Sequence, residues 1–357
     1  MTARVAVVVS GFPRRSETFM LGELLALASR DQLAAVFATK AGETGSLQPG
    51  VSDLAKYVQF LPEGSIADQA RAIRRALRHT PVNGIHGYFA HRPAGVAQEA
   101  AHMLRLPFGF SVHARDLRKI TPEMLAARAQ AAACVVTCNT DVAHDLTSMG
   151  WRSHLMPHGV NLQRFVATTR EPHGPLRLLA VGRLVEKKGF HFLLAALAGL
   201  RIPFTLSIVG DGPERDRLRH LIASNQLESR VFLRGSRTHS ELPRIYAESD
   251  VVVVPSVRDR SGDRDGLPNV ILEAMACSRA IVAADTGAIA SAVTHNETGL
   301  LVPASDPVAL ANAIKRLAEN TELRARLERN GRQLVAREYD VERCSMRFQK
   351  LLSSAYA

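Results

Sequence analysis

Short apolar runs alternate with segments of helical period along the whole chain, and the alternation runs twice. In the first series, apolar runs at 5–9, 34–37, 84–89, 108–112 and 135–138 are separated by helical patterns at 18–28, 66–77, 93–104 and 121–132. A polar stretch, 168–175, follows. The second series places strands at 176–181, 205–209, 231–234, 251–255, 280–284 and, briefly, 300–302. Between and after them come helical patterns around 190–200, 215–225, 239–248, 269–275, 307–319 and 322–339. Alternation of this kind specifies a parallel sheet with helices on both faces. The expectation is therefore α/β, with one Rossmann-like domain over 1–165 and a second over 166–340. Ligands of open α/β sheets sit beyond the carboxyl ends of the strands, so two such domains facing each other predict one cleft.

With 357 residues, 46% hydrophobic and 22% charged, the chain is large enough for two cores, which excludes disorder as a whole-chain reading. No run approaches the roughly 20 apolar residues of a membrane-spanning helix. Residues 1–10 lead directly into a strand without signal-peptide architecture, so the expected location is cytoplasmic. Cys134, Cys138, Cys277 and Cys344 lack a paired metal-ligand spacing and read as reduced core residues.

Lys and Arg number 45 against 34 Asp and Glu, a net charge of +11 that points to an anionic partner. The excess is shared almost evenly by the two halves, so no basic tail accounts for it. What is concentrated is Arg71, Arg74, Arg75 and Arg78 on one broad face of a predicted helix, with Arg14 and Arg15 in an earlier loop. That face is either simply solvated or a contact with an anionic membrane surface. A nucleic-acid partner is disfavoured, because aromatics are only 5% of the chain and no basic stretch is interleaved with stacking side chains.

In the second series, strand 176–181 ends in Gly182-Arg183-Leu184-Val185-Glu186-Lys187-Lys188-Gly189. Arg183 and Lys188 there suit a diphosphate, the first as a bidentate fork and the second as a point charge. The bracketing glycines leave room for a ligand to approach. The next strand ends at Gly210-Asp211-Gly212-Pro213, where glycines either admit a nucleotide base or satisfy a tight turn; for Asp211 the structural role is favoured. Strand 251–255 leads to Asp265-Gly266-Leu267-Pro268-Asn269, with Pro268 read just inside a helix start whose opening amides can bind hydroxyls or phosphate. Asp265 is expected to face a sugar and Glu273, in the second turn of the helix, to reach ribose hydroxyls.

The first series offers histidines. His113 follows strand 108–112 at its carboxyl end, where an imidazole can hydrogen-bond a sugar hydroxyl or an acceptor. His86 and His91 flank Tyr88-Phe89 at a spacing that does not share a helical face, so a metal site there is not expected.

Taken in order, these segments resemble family 4 of the retaining glycosyltransferases, which have the GT-B fold, and within it the bacterial exopolysaccharide and colanic-acid-type branch. The resemblance covers nearly the whole chain. It rests on Gly11-Phe12-Pro13-Arg14-Arg15-Ser16-Glu17-Thr18-Phe19, the stretch His86 to His91, Ser111 to Asp116, Pro157-His158-Gly159-Val160-Asn161-Leu162-Gln163-Arg164-Phe165, and the Arg183, Asp211 and Glu273 segments. It implies that Arg183 and Lys188 bind the donor diphosphate, Glu273 the ribose, and the loop from Asp265 to Asn269 the transferred sugar. It also implies His113 at the sugar or acceptor, Gly11 under the phosphates, and a last helix, within 341–357, packed back on the first domain. The family usually has Glu where this chain has Asp265, which reads as a change of specificity. Asp259, Asp263 and Asp265 form an acidic cluster, yet the resemblance implies metal-independent catalysis, so no cofactor and no catalytic metal are expected.

The implied reaction carries a hexose from a nucleotide sugar, UDP-hexose first and GDP-mannose next, to a saccharide or lipid-linked saccharide acceptor. No candidate protein nucleophile stands out, which agrees with a front-face displacement that keeps the anomeric configuration. A sugar-nucleotide epimerase or a dehydrogenase of similar architecture would need a Gly-x-Gly-x-x-Gly fingerprint after a strand, and Gly210-Asp211-Gly212 lacks the third glycine. A sugar-nucleotide-binding protein without turnover is the non-enzymatic alternative.

Overall fold

The computed structural model describes residues 3–14, 17–44, 48–113, 116–168 and 174–357. Arg15, Ser16, Ala114, Arg115 and most of the polar stretch 168–175 lie outside them. The chain divides into two units, Met1–Gly159 with Val341–Ala357, and Val160–Asp340.

Unit 1 runs β1 (Val5–Val9), α1 (Thr18–Ser29), β2 (Leu33–Ala38), β3 (Val58–Phe60), α2 (Ile66–Ala76), β4 (Gly84–Gly87), α3 (Arg92–Leu104), β5 (Phe108–Val112), α4 (Pro122–Ala131), β6 (Cys134–Thr137), α5 (Thr140–Ser148) and β7 (His154–Leu155). Its seven strands pair in the order β3-β2-β1-β4-β5-β6-β7, every pair parallel. Alternate residues of β1 feed different cores: Ala6 and Val8 join one cluster, Val5, Val7 and Val9 another. Side chains of a strand point to opposite faces, so the sheet is covered on both sides.

Unit 2 runs β8 (Leu176–Val181), α6 (Phe190–Ala198), β9 (Phe204–Val209), α7 (Arg215–Ser224), β10 (Val231–Leu233), α8 (Leu242–Ala247), β11 (Val251–Val254), α9 (Asn269–Ala276), β12 (Ala280–Asp285), β13 (Leu300–Pro303), α10 (Pro307–Glu319) and α11 (Thr321–Glu338). Its sheet is β10-β9-β8-β11-β12-β13, again all parallel. Val251 and Val253 of β11 pack in one core while Val252 and Val254 pack in the other. The strand order reverses between β1 and β4 in unit 1 and between β8 and β11 in unit 2, the places where such sheets open a crevice for ligands.

The final helix α12 (Val341–Ala355) belongs to unit 1. Phe348, Leu352 and Tyr356 are buried in its core. The Tyr356 ring lies over the sheet where only glycines fit: a Cβ on Gly84 would stand 2.4 Å from the ring, and one on Gly109 2.5 Å from its hydroxyl. Gln349 Nε2 also donates to the Ala26 carbonyl of α1 at 2.8 Å. The boundary expected at 165 moves to 159. Val160 donates its amide to the Tyr339 carbonyl at 2.8 Å. Phe165, 1% exposed, packs in the unit 2 core. Residues 160–165 therefore fold with unit 2. Among the described residues no helix is long and apolar enough to cross a membrane.

Candidate functional site

In unit 2 the loop after β8 is clamped between its neighbours. Gly182 donates its amide to the Val209 carbonyl and Leu184 to the Asp211 carbonyl, each at 2.9 Å. Gly189, at φ +64°, closes a 3-10 turn over Glu186–Lys188, and a Cβ there would stand 1.8 Å from the Pro255 carbonyl oxygen. Gly210, at φ +145°, approaches the Gly182 carbonyl so closely that a Cβ would meet it at 1.9 Å. Glycine at both positions thus permits close contact between loops, which for Gly189 replaces the expectation of open space for a ligand. Asp211 is likewise structural, accepting from the Gly212 amide at 2.8 Å and from Arg215 at 3.1 Å.

Arg183 and Lys188 are not equivalent. Arg183 is exposed, and no hydrogen bond or ion pair holds its side chain among the described residues. Lys188 instead donates to Asp265 Oδ2 at 2.7 Å, an oxygen that also accepts from Ser256 Oγ at 2.9 Å. Lys187 Nζ stands 3.3 Å from Asp265 Oδ1 and 3.3 Å from Asp263 Oδ2. Asp265, 9% exposed, is thus a buried ion-pair partner rather than a carboxylate open in its loop. Burial works against its charge, but Lys188 and Lys187, with the hydrogen bonds from Lys188 and Ser256, hold its carboxyl below the usual range. Of the acidic cluster, Asp259 accepts from Ser261 and the Asp263 amide.

Past Asp265, Gly266 and Leu267 are half-buried and Pro268 is buried at the N-cap of α9, one position before the first helical residue, Asn269. No side chain caps this end, so its first amides point outward without a side-chain acceptor. Glu273, 6% exposed, sits one turn further in. Tyr246 donates its hydroxyl to Glu273 Oε2 at 2.8 Å, and His239 Nε2 lies 3.3 Å from Oε1. Arg164 donates to His239 Nδ1 at 2.7 Å, which places the ring proton on Nε2, facing the carboxylate. Burial first, and then Glu273, push the Tyr246 phenol well above its ordinary pKa, so it stays a donor. Sequence reasoning missed Arg164, His239 and Tyr246, which lie far from Glu273 in the chain and carry no local spacing signal.

In unit 1, Gly11 is buried in the loop after β1, where Phe12 pairs with Ala41. His113, just past β5, is enclosed by rings: Phe89 at 4.9 Å, Phe19 at 5.3 Å, His158 at 5.4 Å and Tyr88 at 5.6 Å between centroids. Its backbone amide donates to Asp116 Oδ2 at 2.9 Å, and its Nδ1 lies 3.5 Å from the same oxygen. Burial disfavours the imidazolium, yet Cys138 and Asp116 together raise the His113 pKa above its ordinary value. Glu23 of α1 reaches His158 Nδ1 at 2.9 Å. Its burial beside Met20, Leu21, Leu24 and Leu27 was the signal available in the sequence, since an acid in an apolar helix needs a partner.

Residues 163–334 match the family described as glycosyl transferases group 1. The chain carries a group 1 glycosyl transferase domain. That domain covers nearly all of unit 2, including Arg183, Asp265 and Glu273. Among relatives, the amylovoran biosynthesis glycosyltransferase AmsK of Erwinia amylovora is 33% identical over 183 residues, 49% of this chain and 45% of that protein. The putative colanic acid biosynthesis glycosyltransferase WcaL of Escherichia coli is 31% identical over 201 residues, 55% of this chain and 50% of its own length. The chain thus spans about half the length of these relatives. Crystal structures extend the likeness to the fold of the whole chain. HepE of Anabaena, solved in complex with UDP, superposes with a TM-score of 0.84 at 20% identity over 98% of this chain and 100% of that one. Sucrose-phosphate synthase of Thermosynechococcus elongatus gives 0.77 at 22% identity over 99% of each chain. The two parallel-sheet α/β units match the GT-B fold of these glycosyltransferase structures.

Proposed function

We propose that this protein is a retaining glycosyltransferase that moves a hexose from a nucleotide sugar, UDP-hexose before GDP-mannose, to a saccharide or lipid-linked saccharide in polysaccharide assembly. The observation that carries the reading is Arg183: an exposed guanidinium without a partner among the described residues, beside the strand-order switch of the group 1 domain. A cation so placed stabilises negative charge as it grows on a departing diphosphate. The uncapped amides of α9 receive phosphate or sugar oxygens. Glu273 keeps lone pairs beyond those engaged by Tyr246 and His239, and accepts the ribose hydroxyls. Lys188 acts with Asp265 as a neutral pair that orders the sugar-facing loop. In unit 1, His113 contacts the transferred sugar or the acceptor.

In this reaction the acceptor hydroxyl bonds to the anomeric carbon on the face from which the diphosphate departs, and a phosphate oxygen takes the hydroxyl proton. No protein nucleophile and no divalent cation enters. The names of AmsK and WcaL, which place those relatives in amylovoran and colanic acid biosynthesis, and the UDP and UDP-glucose complexes of HepE support the choice of process and donor. A lipid-linked acceptor would bring the protein to the inner face of the membrane, and the arginines of α2 suit that surface.

Purified protein given UDP-glucose, UDP-galactose or GDP-mannose with oligosaccharides on a lipid diphosphate tests the reading. Nucleoside diphosphate release and the proton NMR signal of the new anomeric centre are recorded. Release with one donor and an unchanged anomeric configuration is expected. Inversion would end the front-face mechanism, and no release with any donor would end the transferase reading in favour of a binding protein.

A further inference from the structure

At the carboxyl ends of three neighbouring parallel strands, unit 1 sets His113, Cys138 and His158 side by side. The register explains the meeting: Val112 of β5 pairs with Thr137 of β6, and Thr137 with Leu155 of β7. His113 and Cys138, the residues that follow directly, stand in adjacent columns roughly 4.8 Å apart as strands are, and His158 lies three residues past Leu155. One ligand atom from each side chain, a ring nitrogen of the two imidazoles and the Cys138 sulfur, lies within 4.8 Å of the other two. Phe19 closes over the group, stacked on His158 at 4.1 Å.

The hydrogen bonding around them is incomplete in a directed way. Glu23 holds His158 at Nδ1, and Tyr88 donates its hydroxyl to the other oxygen of that carboxylate. A carboxylate there keeps the proton on Nδ1 and turns the Nε2 lone pair toward the cluster, which is how metal-bound histidines are held. Among the described residues, Nε2 of His158 and Nε2 of His113 are buried without a hydrogen-bond partner, and Nδ1 of His113 has only Asp116 Oδ2, at 3.5 Å. Simple packing leaves that cost uncompensated.

We propose that His113, Cys138 and His158 form a binding site for a thiophilic divalent cation of the zinc class. Two imidazole nitrogens and a sulfur favour such an ion over the oxygen-seeking magnesium and calcium. Three protein ligands leave a fourth position for water or an added ligand. On binding, the Cys138 S–H bond breaks, a sulfur–metal bond forms, and the proton leaves to solvent. Metal–nitrogen bonds of about 2.0 Å and metal–sulfur bonds of about 2.3 Å put tetrahedral ligands roughly 3.5 Å apart. Small side-chain rotations close the cluster to that size. The cation is not a donor-activating one. It takes the same imidazole that the transfer reading assigns to sugar or acceptor, so the two occupancies exclude each other, and binding is measured with neither substrate present.

Zn2+ titrated into the purified full chain against a chromophoric chelator is expected to show one tight equivalent. Co2+ is expected to give a thiolate-to-metal absorption band. Cys138→Ser removes the band and the tight equivalent, His158→Gln weakens binding at least about 100-fold, and Glu23→Gln weakens it about 10- to 100-fold. Circular dichroism without metal establishes that each variant is folded, and His158→Gln carries the test if Cys138→Ser is not. Absence of stoichiometric binding by the native chain, or one equivalent retained unchanged in both ligand variants, overturns the proposal.

Discussion

His86 is fully buried between two hydroxyls, with Nδ1 2.9 Å from the Tyr356 hydroxyl and Nε2 2.9 Å from Ser111 Oγ. Burial, assisted by the positive field of His113, pushes its pKa down to about 3. The folded state therefore excludes a proton that the unfolded chain accepts near pH 6.5. The stability this gives is present above that pH and is lost as the pH falls towards the folded value. His86→Gln keeps a hydrogen-bonding side chain without the titration. Between pH 6.5 and pH 4 the native chain should lose about 3 kcal/mol more than the variant in denaturant titrations. Parallel pH dependences would show that His86 is not the group responsible. The same residue illustrates a limit of sequence reading. Nothing local in the sequence announced that Tyr356, 270 positions later, caps the imidazole.

At the scale of elements, α2 carries a charge pattern that the structure trims. Its N-terminus is fixed by a capping box between Ser65 and Asp68, and Arg71 is drawn to Asp68 at 2.5 Å. Arg74, Arg75 and Arg78 remain exposed and without side-chain partners among the described residues. Three arginines near an anionic surface contribute about 1 kcal/mol each. Replacing all three by glutamine should weaken binding to vesicles containing phosphatidylglycerol about 100-fold. Equal binding to zwitterionic vesicles, or no change in the variant, would leave α2 a solvated face.

Element legibility followed the length and polarity of each segment. The six strands of unit 2 were readable from their apolar runs, even β10, in which only Val231 is buried. Strands β3 and β7 were not, being three and two residues long and largely exposed. Helix α5 escaped because only Val142 and Leu146 in it are buried, one turn apart among polar residues. In the candidate site, the Arg183 loop was legible from its glycines and cations. The pairing of Lys188 with Asp265 was not, because 77 residues separate them and only the adjacency of β8 and β11 brings their loops together. The cluster of His113, Cys138 and His158 escaped for the same reason, with each residue lying in the loop after a different strand.

For the whole molecule, each unit has cores on both faces of its own sheet, so the chain holds two folded bodies, one completed by the returning helix α12. Unit 2 carries the family match and the exposed Arg183, and the proposed function requires the claim that this unit holds a nucleotide sugar. Calorimetric titration of UDP and of GDP into the full chain, repeated on Arg183→Ala and Glu273→Gln, tests that claim most directly. Charge-assisted hydrogen bonds contribute about 1.5–3 kcal/mol, so each variant should weaken the preferred nucleotide about 10- to 100-fold. One saturable site for UDP, weakened in both variants, is expected; no binding of either nucleotide, or binding that both variants leave unchanged, would rule out a nucleotide-sugar site in unit 2.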